Sequence, residues 1–286
     1  MVPDLRSMLQ NPDEMNGVRL RLKFFGVRGS IPTPVAANLG FGGNTTCLEI
    51  QSGDGGRLVI DAGSGVRGLG LERIAQGHLA VDFWLTHFHW DHIQGLPFFA
   101  PLFASGARVR FHARKPASAT RQHLERQFQE PYFPGRDGIS AVQEFLEIDT
   151  NTSKHGNITI HPFELNHPQG AFGFRIEAGG AVIVHASDCE HGDPRYDARL
   201  RDYAQNADVL IYDAQYTPEE YAAKAGWGHS TWLEATRAAR ESNAKHLILF
   251  HHDPSRADRD LEAIVESARR EFSNTDAARE GWEIRL

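Results

Sequence analysis

The stretch THFHWDH, residues 86–92, directly follows the apolar run VDFWL at residues 81–85. It places three imidazoles and one carboxylate within six residues. Neutral imidazole and carboxylate are both common ligands of Zn²⁺. On an extended segment His87 and His89 can point the same way, and a bend after them would turn Asp91 and His92 toward a second position. The run therefore predicts a metal site at the end of a strand.

Further metal ligands are expected at the ends of other predicted strands, because loops there are held by a rigid scaffold. His167 follows the strand ITIHPFELN, and Asp188 ends the strand AVIVHASD. His251 and His252 both end the strand KHLILFHHD, so the pattern leaves open which of the two binds metal.

Short strands punctuated by glycine alternate with helical segments from Val18 onward. The turn sequence SGDGG joins two strand candidates, at 45–52 and 57–63, as in a hairpin. Helical spacing occurs at 64–77, 117–130, 230–243 and 255–272. These patterns predict an α/β fold in which layers of sheet are covered by helices. We predict one domain over residues 18–286, preceded by an N-terminal tail over residues 1–17.

Composition excludes several classes of protein. The chain of 286 residues has 30 Lys and Arg against 37 Asp and Glu, a formal net charge of −7, which argues against a dedicated nucleic-acid coat. The most apolar stretch, residues 96–104, falls short of the ~20 apolar residues of a membrane-spanning helix. Two cysteines are too few for a disulfide scaffold, and the N-terminal sequence has no secretory pattern. We therefore expect no membrane partner and a cytoplasmic location.

The run THFHWDH resembles the metal motif of the metallo-β-lactamase fold superfamily of metal-dependent hydrolases. The segments GVRGSIPTP, GGNTTCLEI and LVIDAGSG resemble the strands and loops that precede this motif in the family. The resemblance covers roughly residues 20–254. It implies a four-layer αβ/βα sandwich, with the metals at one edge of the two facing sheets.

The resemblance also implies a dinuclear site with two Zn²⁺ ions per chain, Mn²⁺ or Fe²⁺ being alternatives. By carry-over of the family pattern, the first metal would be bound by His87, His89 and His167, and the second by Asp91, His92 and His251. Asp188 would bridge the two ions, and the register of the final strand favours His251 over His252.

Two later segments, DVLIYDAQY at 208–216 and GWGHSTW at 226–232, are similar to the tRNase Z-type phosphodiesterase branch. This similarity implies a phosphodiesterase with metal-bound hydroxide as nucleophile. Asp91 would orient or deprotonate the nucleophile, and His229 would stabilise the phosphate or protonate the leaving oxygen. Asp213 would orient His229. Alternatively, His229 could cap the helix that follows it, and Arg28 could either contact the substrate phosphate or lie on the surface.

Substrate choice is expected to depend on residues 113–140, where Phe128, Tyr132 and Phe133 could wall a pocket or belong to the core. The segment lacks the long flexible arm with which tRNase Z enzymes grip tRNA. That departure and the negative net charge disfavour RNA and favour a small phosphodiester, such as a cyclic nucleotide. The resemblance also allows a homodimer.

Two alternatives from other functional classes stay open. One is a thioester, lactone or β-lactam hydrolase of the same fold, although those branches as a rule lack the GHST segment. The other is a di-iron redox or sensor protein, which tends to carry a glutamate where this chain has His89.

Overall fold

Two seven-stranded sheets form the centre of the computed structural model, which describes residues 17–135 and 137–286. The predicted tail lies outside this range except for Gly17, so the division into a tail and one domain stays a prediction. The strands of the first sheet are β1 (Leu20–Gly26), β2 (Cys47–Ser52), β3 (Arg57–Ile60), β4 (Ala80–Trp84), β5 (Arg108–Ala113), β6 (Val142–Glu147) and, at its outer edge, β14 (Glu283–Arg285). Their order is β14-β1-β2-β3-β4-β5-β6.

The second sheet has the order β13-β12-β11-β10-β9-β8-β7. Its strands are β7 (Ser153–His155), β8 (Ile158–Leu165), β9 (Ala171–Ala178), β10 (Ala181–Ala186), β11 (Val209–Asp213), β12 (Leu247–Phe250) and β13 (Thr275–Ala277). The SGDGG sequence joins β2 and β3 as an antiparallel hairpin, as its turn pattern predicts.

One apolar core is shared by the facing sides of the two sheets. In β1, Leu22 and Phe24 belong to this core together with Ile160 and Phe174 of the second sheet. Arg21 lies between Leu20 and Leu22, points to the opposite face of the strand and pairs with Glu49 at 3.0 Å. The alternation of side chains along an extended strand therefore gives each sheet one face for its partner and one face for helices.

Helices cover both outer faces. Helices α1 (Val66–Gln76) and α3 (Ala117–Glu125) pack on the first sheet, and α4 (Pro194–Ala204), α6 (Trp232–Glu241) and α7 (Asp258–Glu271) pack on the second. Two single-turn helices, α2 (Trp90–Ile93) and α5 (Pro218–Tyr221), lie in loops. This arrangement confirms the predicted four-layer αβ/βα sandwich. Among the described residues, no helix is both long and apolar enough to cross a bilayer.

Parallel strands in both sheets bring the polar residues at their carboxyl ends to one edge. Strands β3 to β6 run parallel to one another, and so do β10 to β13. The metal motif follows β4, Asp188 follows β10, Asp213 ends β11 and His251 follows β12. Because ligands of α/β proteins bind beyond the carboxyl ends of such strands, this edge is the expected position of a site.

Candidate metal centre

The seven side chains predicted as metal ligands lie together at this edge. His87, His89, His167 and Asp188 form one group, and the ligand atoms within it lie within 4.8 Å of one another. A second group under the same limit contains the remaining three, namely Asp91, His92 and His251.

Asp188 lies between the two groups and faces both. Its Oδ1 atom is 3.8 Å from Nε2 of His87, while its Oδ2 atom is 3.2 Å from Nε2 of His92 and 3.4 Å from Nε2 of His251. The backbone of Asp188 is left-handed, with φ of 57°, a conformation uncommon outside glycine that often occurs at functional sites. This geometry suits a carboxylate that bridges two cations.

Three of the histidines are oriented by acceptors behind their rings. Nδ1 of His92 donates to Asp61 at 2.7 Å, Nδ1 of His251 donates to Gln215 Oε1 at 2.9 Å, and Nδ1 of His167 donates to the Gly228 carbonyl at 3.0 Å. In the neutral imidazole these contacts hold the proton on Nδ1, which leaves a lone pair on Nε2 for a cation.

The donor set fits a divalent metal. Nε2 of His87 is buried and has no hydrogen-bond partner among the described residues. Four carboxylates, Asp61, Asp91, Asp188 and Asp213, are buried at the site, and within the described part of the chain their only ion-pair partners are histidines. Buried carboxylates are costly unless cations compensate them. Both the negative charge of the centre and its imidazole and carboxylate ligands therefore fit a divalent metal ion.

Electrostatics within the site keep the Asp188 carboxylate ionised. Burial alone would raise the pKa of Asp188, but His251, His92 and His87 outweigh it and hold that pKa well below its usual range. Burial likewise opposes protonation of His92, yet Asp188, Asp91 and Asp61 raise its pKa well above the ordinary value. The pocket thus concentrates negative charge where a cation would sit.

His229 and Asp213 form a pair beside the centre. Nδ1 of His229 donates to Asp213 at 2.9 Å, and the His229 ring stacks on His251 with centroids 4.8 Å apart. Since Nδ1 is committed to Asp213, Nε2 is the atom that His229 can offer to a substrate. Burial opposes protonation here too, but Asp213 outweighs it and raises the pKa of His229 to about 9. The alternative capping role of His229 is wrong, because Thr231 caps α6 by accepting from the Glu234 N–H at 3.2 Å.

The side chains of His251 and His252 lie in different environments. The backbone of His251 is left-handed, with φ of 59°, and its Nε2 is 3.1 Å from Asp91 Oδ2. His252 is buried away from the centre, where its Nε2 donates to the Ala278 carbonyl at 2.9 Å and its ring packs edge-on to Phe41. The structure therefore places His251, and not His252, among the candidate ligands.

Arg28 has neither of the two roles predicted for it. It is fully buried, and its guanidinium donates to the carbonyls of Gly42, Asp253 and Arg256 at 2.8, 3.2 and 2.6 Å. Arg28 thus links two loops through hydrogen bonds. Both predictions for it, a contact with the substrate phosphate and a position on the surface, are wrong.

Several supporting residues are absent from the sequence-based prediction. The Ser30 N–H donates to Asp91 Oδ2 at 2.7 Å, and Gln215 orients His251. Glu190 accepts the N–H groups of Gly226 and Gly228, and so fixes the loop that carries His229. Gln215 could have been found from its place beyond the end of β11. Ser30 acts through its backbone, and Glu190 binds residues far along the chain, so neither leaves a sequence pattern.

The aromatic residues expected to wall a pocket have different environments. Phe128 is buried in the core beneath α3, and Phe133 packs against the same core. Tyr132 is exposed and lines a cavity next to Trp90. Of the three residues, the structure therefore leaves only Tyr132 available for a ligand in that cavity.

The chain is similar in sequence to a known protein family and to individual known proteins. Residues 56–252 match the model of a family described as a beta-lactamase superfamily domain. Ribonuclease Z from Thermoplasma volcanium is 24% identical over 307 aligned positions, which cover 93% of this chain and 97% of that protein.

Solved structures show the same fold. The metallo-beta-lactamase fold protein YhfI from Bacillus subtilis superposes with a TM-score of 0.73 at 21% identity, covering 94% of this chain and 100% of that one. A diphosphatase from the PhnP family superposes with a TM-score of 0.67 at 19% identity, covering 94% and 97%.

Proposed function

This chain belongs to the beta-lactamase superfamily and is a metal-dependent hydrolase, and we propose that it is a phosphodiesterase with two metal ions per chain. The observation that carries the proposal is the His229–Asp213 pair next to Asp188, the proposed bridging ligand. Asp213 accepts from both the His229 ring, at 2.9 Å, and the backbone N–H of Asp188, at 3.1 Å. A proton donor is thereby held in fixed relation to the candidate bridging ligand.

The proposed ligands of one ion are His87, His89 and His167, and those of the other are Asp91, His92 and His251, with Asp188 shared. We propose zinc as the metal, with Mn²⁺ or Fe²⁺ as alternatives, because imidazole and carboxylate ligands suit all three. When bound, such ions polarise a phosphate oxygen and lower the pKa of a water molecule.

The chain's own residues position the reacting groups. Asp91, whose Oδ2 is fixed by the Ser30 N–H, is proposed to orient the attacking water and accept its proton. The water oxygen forms a bond to phosphorus while the bond from phosphorus to the leaving oxygen breaks. Nε2 of His229 donates a proton to that leaving oxygen, and Asp213 holds the imidazole in the orientation that this transfer requires.

We propose a small phosphodiester as the substrate, in preference to a folded RNA. The names of the relatives differ in the substrate they indicate, since the sequence relatives are named ribonuclease Z, whereas one solved structure is a diphosphatase. Within the described residues, the segment after β5 forms α3 and a 3₁₀ turn at Arg126–Phe128 that pack on the first sheet, which supports a substrate that does not need a protruding arm. A cytoplasmic location is part of the same proposal and is supported by Cys47 and Cys189, which are buried free thiols.

Hydrolysis of bis(p-nitrophenyl) phosphate by zinc-reconstituted protein tests this function. We expect turnover that is lost in Asp91→Ala and kept in Asp276→Ala, a matched removal of a carboxylate that pairs with Arg269 outside the centre. A thioester and a lactone are assayed in parallel. Turnover of either of these without phosphodiester turnover would contradict the proposal and favour the other hydrolase class.

A further inference from the structure

A groove beside the metal centre is formed by two cavities that share Phe88 and His123. The first has a volume of about 430 Å³ and is lined also by His87, Arg114 and Lys115. The second has a volume of about 320 Å³ and is lined also by Trp90, Arg126 and Tyr132. We call the two together the side groove. Each cavity is in the lower part of the range of ligand pockets, ~300–1,000 Å³.

The side groove is contiguous with the centre through the metal motif itself. His87 and His89 contribute to the ligand group, whereas Phe88 and Trp90, which alternate with them along the chain, line the groove. The Phe88 ring lies 5.1 Å from the ring of His123 on α3. A substrate whose scissile phosphate occupies the centre can therefore extend directly into the side groove.

Aromatic rings are exposed along one part of the groove. Trp90 is 65% exposed and Tyr132 is 83% exposed, although both are large side chains that burial would stabilise. Trp90 is the first residue of α2, and the next two residues are candidate ligands, so the main chain that carries its indole is fixed by the centre. Exposed, well-fixed aromatic rings are the platforms on which nucleobases stack.

Positive charge is concentrated along the same groove. The chain has a net charge of −7, yet the described lining residues include three cations, Arg114, Lys115 and Arg126, and no carboxylate. Lys115 and Arg126 form no ion pair with any described residue, whereas Arg114 is held by Glu164 at 3.0 Å. Unpaired Lys and Arg side chains beside a phosphate-processing centre are suited to bind a further phosphate.

We propose that the side groove binds a nucleotide on one side of the scissile bond. Its base would stack among Phe88, Trp90 and Tyr132, and a phosphate other than the scissile one would pair with Lys115. The inference rests on the proposed phosphodiesterase function and narrows its substrate class. It favours a short linear nucleotide that carries a second phosphate over a 3′,5′-cyclic mononucleotide, whose single phosphate would occupy the centre and leave Lys115 unpaired.

Steady-state kinetics of the zinc-loaded protein test the side groove. The substrates are bis(p-nitrophenyl) phosphate, cyclic AMP, the dinucleotide ApA, and ApA bearing a terminal 5′- or 3′-phosphate. We expect one phosphorylated dinucleotide to have a KM about 10-fold below that of ApA, in line with a charge-assisted contact. Lys115→Ala should remove that advantage, whereas Lys154→Ala, a matched change at an exposed lysine outside the groove, should keep it.

A second substitution tests the aromatic part of the side groove. Tyr132→Ala should raise KM for every dinucleotide about 10-fold, the order expected for one base stack. Phe103→Ala, at a partly exposed ring that lines neither cavity, is the matched control. Equal effects of the two substitutions would overturn the assignment of Tyr132.

The outcomes separate the two proposals. Suppose that bis(p-nitrophenyl) phosphate is hydrolysed, but that ApA and its phosphorylated forms have equal KM or that cyclic AMP is the better substrate. Either result would contradict nucleotide binding in the side groove and leave the proposed phosphodiesterase activity standing. If no phosphodiester is hydrolysed, the proposed function fails. Equilibrium binding of the phosphorylated dinucleotide to wild type and to Lys115→Ala then tests whether the side groove binds a nucleotide. Equal affinities of the two proteins would contradict this proposal.

Discussion

Asp61 accepts a hydrogen bond of 2.7 Å from Nδ1 of His92, so a carboxylate behind the ring fixes a candidate metal ligand. Asp61 directly follows β3 in a left-handed conformation, with φ of 59°, and also accepts the backbone N–H of Thr86 at 2.8 Å. One side chain of the first sheet thus connects the end of β3 to the start of the metal motif.

Removal of this carboxylate should weaken metal binding. Asp61→Ala leaves Nδ1 of His92 without its carboxylate acceptor, and losing such a partner typically lowers metal affinity ~10–100-fold. Competition with a chromogenic zinc chelator measures the change, with Asp276→Ala as the control. Zinc affinity equal to that of wild type would contradict the role assigned to Asp61.

The His229–Asp213 pair should affect turnover without affecting metal content. His229→Ala removes the proposed proton donor, and general acid assistance is worth ~10²–10⁴ in rate. We expect kcat to fall by that order while zinc per chain is unchanged. Asp213→Asn should lower kcat less, because the asparagine side chain keeps an oxygen that can accept from the His229 ring. Loss of zinc from His229→Ala would instead identify His229 as a ligand.

The two adjacent histidines after β12 should differ in what their loss causes. His251→Ala is expected to lose one of the two metal ions together with activity. His252→Ala is expected to keep both ions and to lower the free energy of unfolding by about 1–3 kcal/mol, because the Ala278 carbonyl loses its buried partner. Metal analysis and urea unfolding of both variants test this contrast. The reverse pattern would exchange their roles.

Two glycines in the loop before His229 make a matched pair. Gly226 and Gly228 have left-handed φ angles of 89° and 87°, so alanine strains the backbone at both. A Cβ at Gly228 would also overlap the His167 ring, whereas a Cβ at Gly226 meets no atom within 4 Å among the described residues. We therefore expect Gly228→Ala to lose zinc and activity, and Gly226→Ala to lose only stability. Full zinc content in Gly228→Ala would show that His167 tolerates displacement or is not a ligand.

The sequence predicts much of this fold because its apolar periodicity reflects the core. Strands β2, β3, β4, β8, β10 and β12, and helices α1, α3, α6 and α7, all correspond to predicted segments. Helix α4 is missed because it buries only Leu200 and Ala204, too few apolar positions for a clear helical pattern. Strands β13 and β14 contain three residues each, which is too short for alternation to be detected.

The candidate site is predictable only in part. Residues at strand ends can be located from the strands, and this explains why Asp188 and His167 lie where they are expected. The choice between His251 and His252 depends on a single left-handed backbone conformation, and Arg28 is buried by contacts with residues more than 200 positions away. Neither property is encoded in local periodicity, so both become visible only in three dimensions.

The most direct test of the central claim is a zinc titration of metal-free protein, followed by the rate of bis(p-nitrophenyl) phosphate hydrolysis. The proposed centre predicts a rate that becomes maximal at two equivalents of zinc per chain. A maximal rate at one equivalent would contradict the dinuclear centre, and the absence of hydrolysis at any zinc concentration would contradict the phosphodiesterase.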